Sequence, residues 1–289
     1  MGLLACEREL DVDMDIEPPV VVNALFNTDS TWRVRVNKAW AMGEATFGPM
    51  SDGPVVWGDL SKNIENASVH ITSHRGEQIT LAYDTNGYYL SPLKPRAGET
   101  YTLSVDVPGE LPISSSVVLP EPVRPDTAYF TKLSNYDYLF ILEFTDAPGP
   151  TAYELNLYEG SSGSLPWAKQ LETDDQDVHV EYYWTPRYSH PDNGGGLGPI
   201  FWALDDRNFQ GQKKKLIFRM YQSWEWPEEW TIQMRTMSDE YARYRTSAFK
   251  QQETYSDPFA QPIQVYNNIS NGVGIFAGYS VIYYHFKGN

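Results

Sequence analysis

The chain has 289 residues, 41% of them hydrophobic, enough for one large or two ordinary packed domains. Its 38 acidic against 22 basic residues give a formal net charge of −16, which repels phosphate backbones, argues against any nucleic-acid partner and disfavours lying flat on anionic lipid. The single cysteine, Cys6, excludes an intrachain disulfide and a cysteine-based zinc site, and no apolar run reaches the ~18 residues of a membrane-spanning helix.

Residues 1–19 read as a lipobox followed by an acidic tether. Leu3-Leu4-Ala5-Cys6 places small and apolar residues directly before a cysteine, the pattern at which bacterial lipoproteins are cut and acylated. Only Met1 to Ala5 stand before it here, so either the start is truncated or the match is chance. Glu7, Glu9, Asp11, Asp13, Asp15 and Glu17 then alternate with apolar residues, and Pro18-Pro19 ends the run stiffly.

Residues 20–122 predict an antiparallel β-sandwich of immunoglobulin-like or transthyretin-like type. Val20–Val22 and Ala24–Phe26 open it. Trp32–Val36, Ala67–Thr72, Gln78–Leu81 and Tyr101–Val107 alternate with the period of half-buried strands, separated by turns at Asp84–Gly87 and Pro95–Gly98. Asn86-Gly87-Tyr88-Tyr89 followed by Pro95, Gly98, Tyr101 and Leu103 resembles sandwich domains of bacterial surface proteins, which implies that Tyr101 packs inside. His70 and His74 sit four apart on a strand and its turn, a poor metal pair without a third ligand. The Gly- and Pro-rich stretch Met42–Asn63, with Trp57, predicts a long loop and a contact surface.

Pro120, Pro122 and Pro125 form the mid-chain proline cluster and predict a linker. Residues 123–289 predict a second β-rich domain, a sandwich or barrel-like. Tyr138–Phe144 reads as a buried strand, with Ala152–Tyr158 returning as its hairpin partner across Asp146–Gly149. Lys214–Tyr221 and Glu229–Met237 are further strands. Ser238, an N-cap residue before Asp239 and Glu240, starts a helix near 239–253 whose Tyr241, Tyr244, Ala248 and Phe249 share one face. The whole chain is therefore all-β with one helix.

Aromatic residues crowd two stretches rich in loop signals, Tyr182 to Trp202 and Trp224 to Trp230. Tyr183, Trp184, Trp202, Trp224, Trp226 and Trp230, with Trp57, are the candidates for contact with a partner or a sugar; the alternative is that they cap the core. No catalytic constellation emerges. Asp205, Asp206, Glu225, Glu228 and Glu229 offer carboxylates, but only separations in space would make a pair of them. No Gly-x-Ser-x-Gly elbow is present, and Asp174-Asp175-Gln176-Asp177 lacks the Gly and closing Glu of a calcium loop.

The densest punctuation lies at Asp257–Val281, which has Asp257 as its only charge and Gly272, Gly274 and Gly278 among apolar residues, as suits a segment threaded through a packed interior. Pro258-Phe259-Ala260-Gln261-Pro262 and Asn268-Ile269-Ser270-Asn271-Gly272-Val273-Gly274-Ile275-Phe276 resemble the C-terminal signature of Bacteroidota surface lipoproteins grouped as domain of unknown function 4249. Upstream the resemblance is looser but extends over nearly the whole chain. It implies a final short strand, a lipid on Cys6 and no other cofactor. It also implies anchorage at the outer membrane facing the cell surface, beside a TonB-dependent β-barrel transporter as partner. It transfers no catalytic residue.

Overall fold

The structure is a computed structural model that describes residues 17–39, 62–84, 87–160, 171–182, 200–222, 226–254, 261 and 263–288. It is all-β with one helix, as the sequence predicts. The first seven strands are β1 (Val20–Asn27), β2 (Trp32–Lys38), β3 (Ser68–Ser73), β4 (Gln78–Tyr83), β5 (Tyr89–Ser91), β6 (Thr100–Asp106) and β7 (Ile113–Val118). Next come β8 (Pro125–Lys132), β9 (Asp137–Thr145), β10 (Ala152–Glu159), β11 (Val178–Tyr182), β12 (Ile200–Asp205), β13 (Lys213–Tyr221) and β14 (Glu229–Met237). The helix α1 (Asp239–Thr254) and the strand β15 (Val273–Lys287) complete the chain.

Twelve strands form one sheet in the order β11-β12-β10-β14-β15-β1-β2-β5-β4-β3-β6-β7, and β13-β9-β8 form a second, smaller one. In the first half the sheet curls so that alternate residues of β1 and β2 face those of β3, β6 and β7. Phe26, Trp32, Tyr101 and Phe276 meet at its centre, with Phe26 and Trp32 ring centroids 4.5 Å apart and Trp32 edge-on to Tyr101 at 4.9 Å. Tyr101 is buried, and its hydroxyl accepts the Arg96 N–H at 2.7 Å, which gives the polar end of the ring a partner. Full burial of each such aromatic is worth about 2–3 kcal/mol.

In the second half β10, β12, β14 and the C-terminal part of β15 pack one face against the small sheet. Phe140, Leu142, Phe144, Tyr153, Leu155, Leu157, Trp202, Leu216, Phe218, Trp230, Ile232 and Met234 fill that interior. The arrangement is a sandwich; the barrel-like alternative does not form. The expected hairpin between the strands at 138–144 and 152–158 is also corrected. β9 pairs with β8 and β13, whereas β10 pairs with β12 and β14. The connecting turn carries the chain across the sandwich, because Phe144 and Tyr153 must face each other, their rings 5.3 Å apart. Asp146 holds the crossing: its carboxylate accepts the Tyr153 hydroxyl and, at 2.7 Å, the Gly211 N–H. Burial, ahead of the Asp146 contact, raises the Tyr153 phenol far above its ordinary pKa.

β15 joins the two halves. The signature ends not in a short strand but in one of 15 residues. Its first part pairs in parallel with β1, from Val21↔Val273 to Asn27↔Tyr279, and the remainder runs antiparallel to β14, from Met237↔Tyr279 to Glu229↔Lys287. Before β14 arrives, β15 has a free edge at Phe276. Asn268 fills it like a strand residue: its amide donates to the Phe276 carbonyl at 2.7 Å and accepts the Phe276 N–H at 2.9 Å. Asn271, in the left-handed region at φ 56°, donates to the Pro112 carbonyl at 2.8 Å and so pins the turn to the approach of β7. Gly274 has φ +127°, and a side chain there would run into the Val22 backbone; at Gly278 one would sit 2.7 Å from the Phe26 ring. The proline stretch is held as well. The Pro120 carbonyl accepts the Ser280 hydroxyl, and the Val123 N–H donates to Thr236 Oγ1 at 3.0 Å.

Candidate functional site

A cleft of about 830 Å3 opens beside α1. Its walls come from the start of β10 (Thr151, Ala152), the end of β12 with the following turn (Asp205–Arg207), the junction of β14 and α1 (Met237, Asp239), one side of the helix, and the segment Ile263–Asn267. The helix begins where the sequence places it, because Ser238 Oγ accepts the Tyr241 N–H at 3.1 Å. Ser247 ties the segment to the helix: its Oγ donates toward the Arg243 and Tyr244 carbonyls and accepts the Tyr266 N–H at 2.8 Å. Arg243 pairs with Asp239 at 2.9 Å and lies 5.7 Å over the Tyr266 ring. Across the cleft, Arg207 pairs with Asp205 at 2.9 Å, and the Asp206 carboxylate accepts the Thr151 N–H at 2.7 Å. Burial raises the Asp206 pKa.

Beneath the helix, on the sheet face away from the small sheet, lies a buried ionic network. Glu154 of β10 is 1% exposed and pairs with Arg235 of β14 at 2.8 Å and with Arg245 of α1. Gln233 extends it, accepting from Asn156 at 3.2 Å and Arg235 at 3.3 Å and donating to the Tyr283 hydroxyl at 3.0 Å. Burial, the largest influence, would lower the Arg235 pKa, but the Glu154 carboxylate together with the Tyr279 and Tyr241 hydroxyls more than offsets it and the net shift is upward. Burial pushes Arg245 down to about 9, still a cation at neutral pH. Sequence reading missed these residues. Their signal was parity: Glu154 and Arg235 stand opposite each other in register, each among polar residues that alternate with apolar ones.

The expected aromatic contact residues that can be placed belong to the core. Trp202 and Trp230 are 0% exposed and pack inside the second sandwich, so their assignment as partner contacts is corrected. Both lie within strands, where alternation turns them inward. Trp226 is half-buried: it stacks on Tyr138 at 4.0 Å, stands edge-on to Phe130 at 4.8 Å and donates its indole N–H to the Gly288 carbonyl at 3.0 Å. Cys6, Trp57, Tyr183, Trp184, Trp224 and Glu225 lie outside the described residues.

The acidic run at 174–177 holds a cation of its own, since Asp175 and Asp177 grip the Lys214 ammonium at 2.9 and 2.6 Å. The Lys214 contact lowers the Asp177 pKa. His70 Nδ1 contacts Thr80 Oγ1 at 3.1 Å, while His74 Nδ1 accepts the Thr100 N–H at 3.4 Å; each has its own partner. Among the described residues no three His, Cys, Asp or Glu side chains gather as a metal site requires. Tyr129, Ile217 and Tyr221 are exposed on the outer face of the small sheet, and Leu133 and Tyr136 at its tip; Tyr136 and Tyr221 lie 5.9 Å apart.

Fold and site define a two-part β-sandwich protein, welded by one long strand and carrying a ligand-sized, mixed-charge cleft. The chain belongs to the family described as "Domain of unknown function (DUF4249)", whose model matches residues 7–283. No curated protein matches it. A crystal structure described as a membrane-anchored protein from Corynebacterium diphtheriae is similar at 9% identity and a TM-score of 0.21, over 76% of this chain and 54% of that one. The chain thus spans about half the length of that structure.

Proposed function

We propose that this protein is a lipid-anchored accessory protein of the outer membrane. It docks on a β-barrel of the TonB-dependent transporter type and helps it capture or gate a substrate. The observation that carries this reading is the cleft beside α1, whose volume lies within the about 300–1,000 Å3 of small-ligand sites. The lipobox-like Leu3-Leu4-Ala5-Cys6 and the acidic run behind it support anchorage at a bacterial cell surface. The outer face of the small sheet, where exposed Tyr129, Ile217 and Tyr221 stand among the Lys215–Glu143 and Arg219–Asp137 ion pairs, beside Leu133 and Tyr136 at its tip, supplies a mixed apolar and charged surface for docking. That same face favours a second reading, a structural subunit of a larger outer-membrane assembly or secretion machine with no ligand of its own.

Affinity isolation of the protein from gently solubilised native membranes tests both. A TonB-dependent barrel recovered in fixed ratio is the expected result. Recovery of an assembly or secretion barrel instead would move the conclusion to the second reading. A membrane-bound protein that brings down nothing would defeat both.

A further inference from the structure

We propose that the cleft beside α1 binds a peptide segment, recognised in part by its backbone. This rests on the reading of the cleft as the capture site and names the class of its ligand. The first observation is the segment Ile263–Asn268. Its residues Ile263–Asn267 line the cleft; the segment joins neither sheet and, among the described residues, makes no backbone–backbone hydrogen bond. Of its main-chain groups, the Tyr266 N–H has a described partner, Ser247. A run of unladdered donors and acceptors along a groove is what a docking peptide uses when it pairs main chain to main chain.

The second observation is charge. The cleft-lining side chains include Arg207, Arg243 and Lys250 against Asp205, Asp206 and Asp239, three of each sign, in a chain whose net charge is −16. A locally balanced wall suits neither a polyanion nor a polycation. It suits a ligand that presents donors and acceptors along its length, as a peptide does. The third is the aromatic content. Among the described lining residues Tyr266 is the one aromatic, and Arg243 already lies over its ring, which disfavours a glycan that would stack there. A volume of about 830 Å3 accommodates a short stretch of chain rather than a single side chain.

The test is selection of phage-displayed random dodecapeptides on the immobilised full chain. Enriched peptides are then synthesised and titrated by fluorescence anisotropy. Thr246→Trp fills the cleft from an exposed helix position, and Gln264→Pro removes one main-chain donor from an exposed position of the segment. Enriched peptides should bind the wild type about tenfold or more tightly than Thr246→Trp, a variant that keeps the wild-type melting temperature. Amide exchange over residues 263–268 should slow on binding. If Thr246→Trp fails to fold, the Gln264→Pro comparison and the exchange readout decide. No enrichment over blank beads, equal affinity for the variants, or unchanged exchange at 263–268 would overturn the proposal. Thr246→Trp should still bring down the barrel from membranes, because the outer face of the small sheet lies elsewhere, so loss of peptide binding is separable from failure of the docking reading.

Discussion

Gly274→Ala is expected to cost about 3–5 kcal/mol, a large part of the 5–15 kcal/mol that holds a typical domain. Two effects add at this position. A side chain at φ +127° sits in backbone territory that only glycine occupies cheaply, a cost of about 1–3 kcal/mol. The new Cβ would also overlap the Val22 backbone, and Val22 cannot retreat without opening the parallel ladder between β1 and β15. The damage should reach both halves, since β15 passes its C-terminal part to β14. Equilibrium urea unfolding measures this directly. A loss below about 1 kcal/mol would show that the ladder yields and that β15 is not the rigid joint described here.

Glu154→Ala should destabilise by about 3–5 kcal/mol, the range for removing one member of a buried ion pair. Arg235 and Arg245 are committed to the interior by the sheet and the helix, with side-chain exposures of 16% and 6%. Removing the carboxylate leaves two guanidiniums with less counter-charge in a poorly solvated site. Arg245 links this network to the cleft, because α1 carries Arg245 on its inner side and Thr246 and Arg243 on the cleft side. Loosening of the helix and loss of peptide affinity are therefore expected together. Combining Glu154→Leu with Arg235→Met and Arg245→Met should recover most of the stability, since an apolar core replaces a buried ionic one at little cost. A Glu154→Ala protein as stable as wild type would mean that the arginines find solvent and that the network is not buried in solution.

The strands of the first half were legible because one face is core and the other solvent, so alternation along Trp32–Val36 or Tyr101–Val107 marks the inward side. The helix was legible from its cap. The partner of each strand was not. Alternation places a residue on a face but does not say which strand lies beside it, which is why β9 and β10 read as a hairpin although they stand on opposite sheets. The length of β15 was hidden by Gly274 and Gly278, which read as breaks but serve close approach to Val22 and Phe26. At the site, Trp202 and Trp230 drew attention for their rarity, yet a large aromatic beside loop signals is also what a thick core needs. The cleft had no motif to announce it. It is assembled from four separated stretches, and its distinguishing features are a neutral charge balance and unladdered main chain, neither of which a local pattern displays.

β15 makes one body of the two sandwiches, so that the cleft and the outer face of the small sheet keep a fixed geometry. Native-state amide hydrogen exchange measures this most directly, comparing core amides of β2 and β6 with those of β9 and β14. Equal opening free energies in both halves, falling together by the same amount in Gly274→Ala, are the predicted result. Two distinct opening energies, with the second half unmoved by Gly274→Ala, would contradict it.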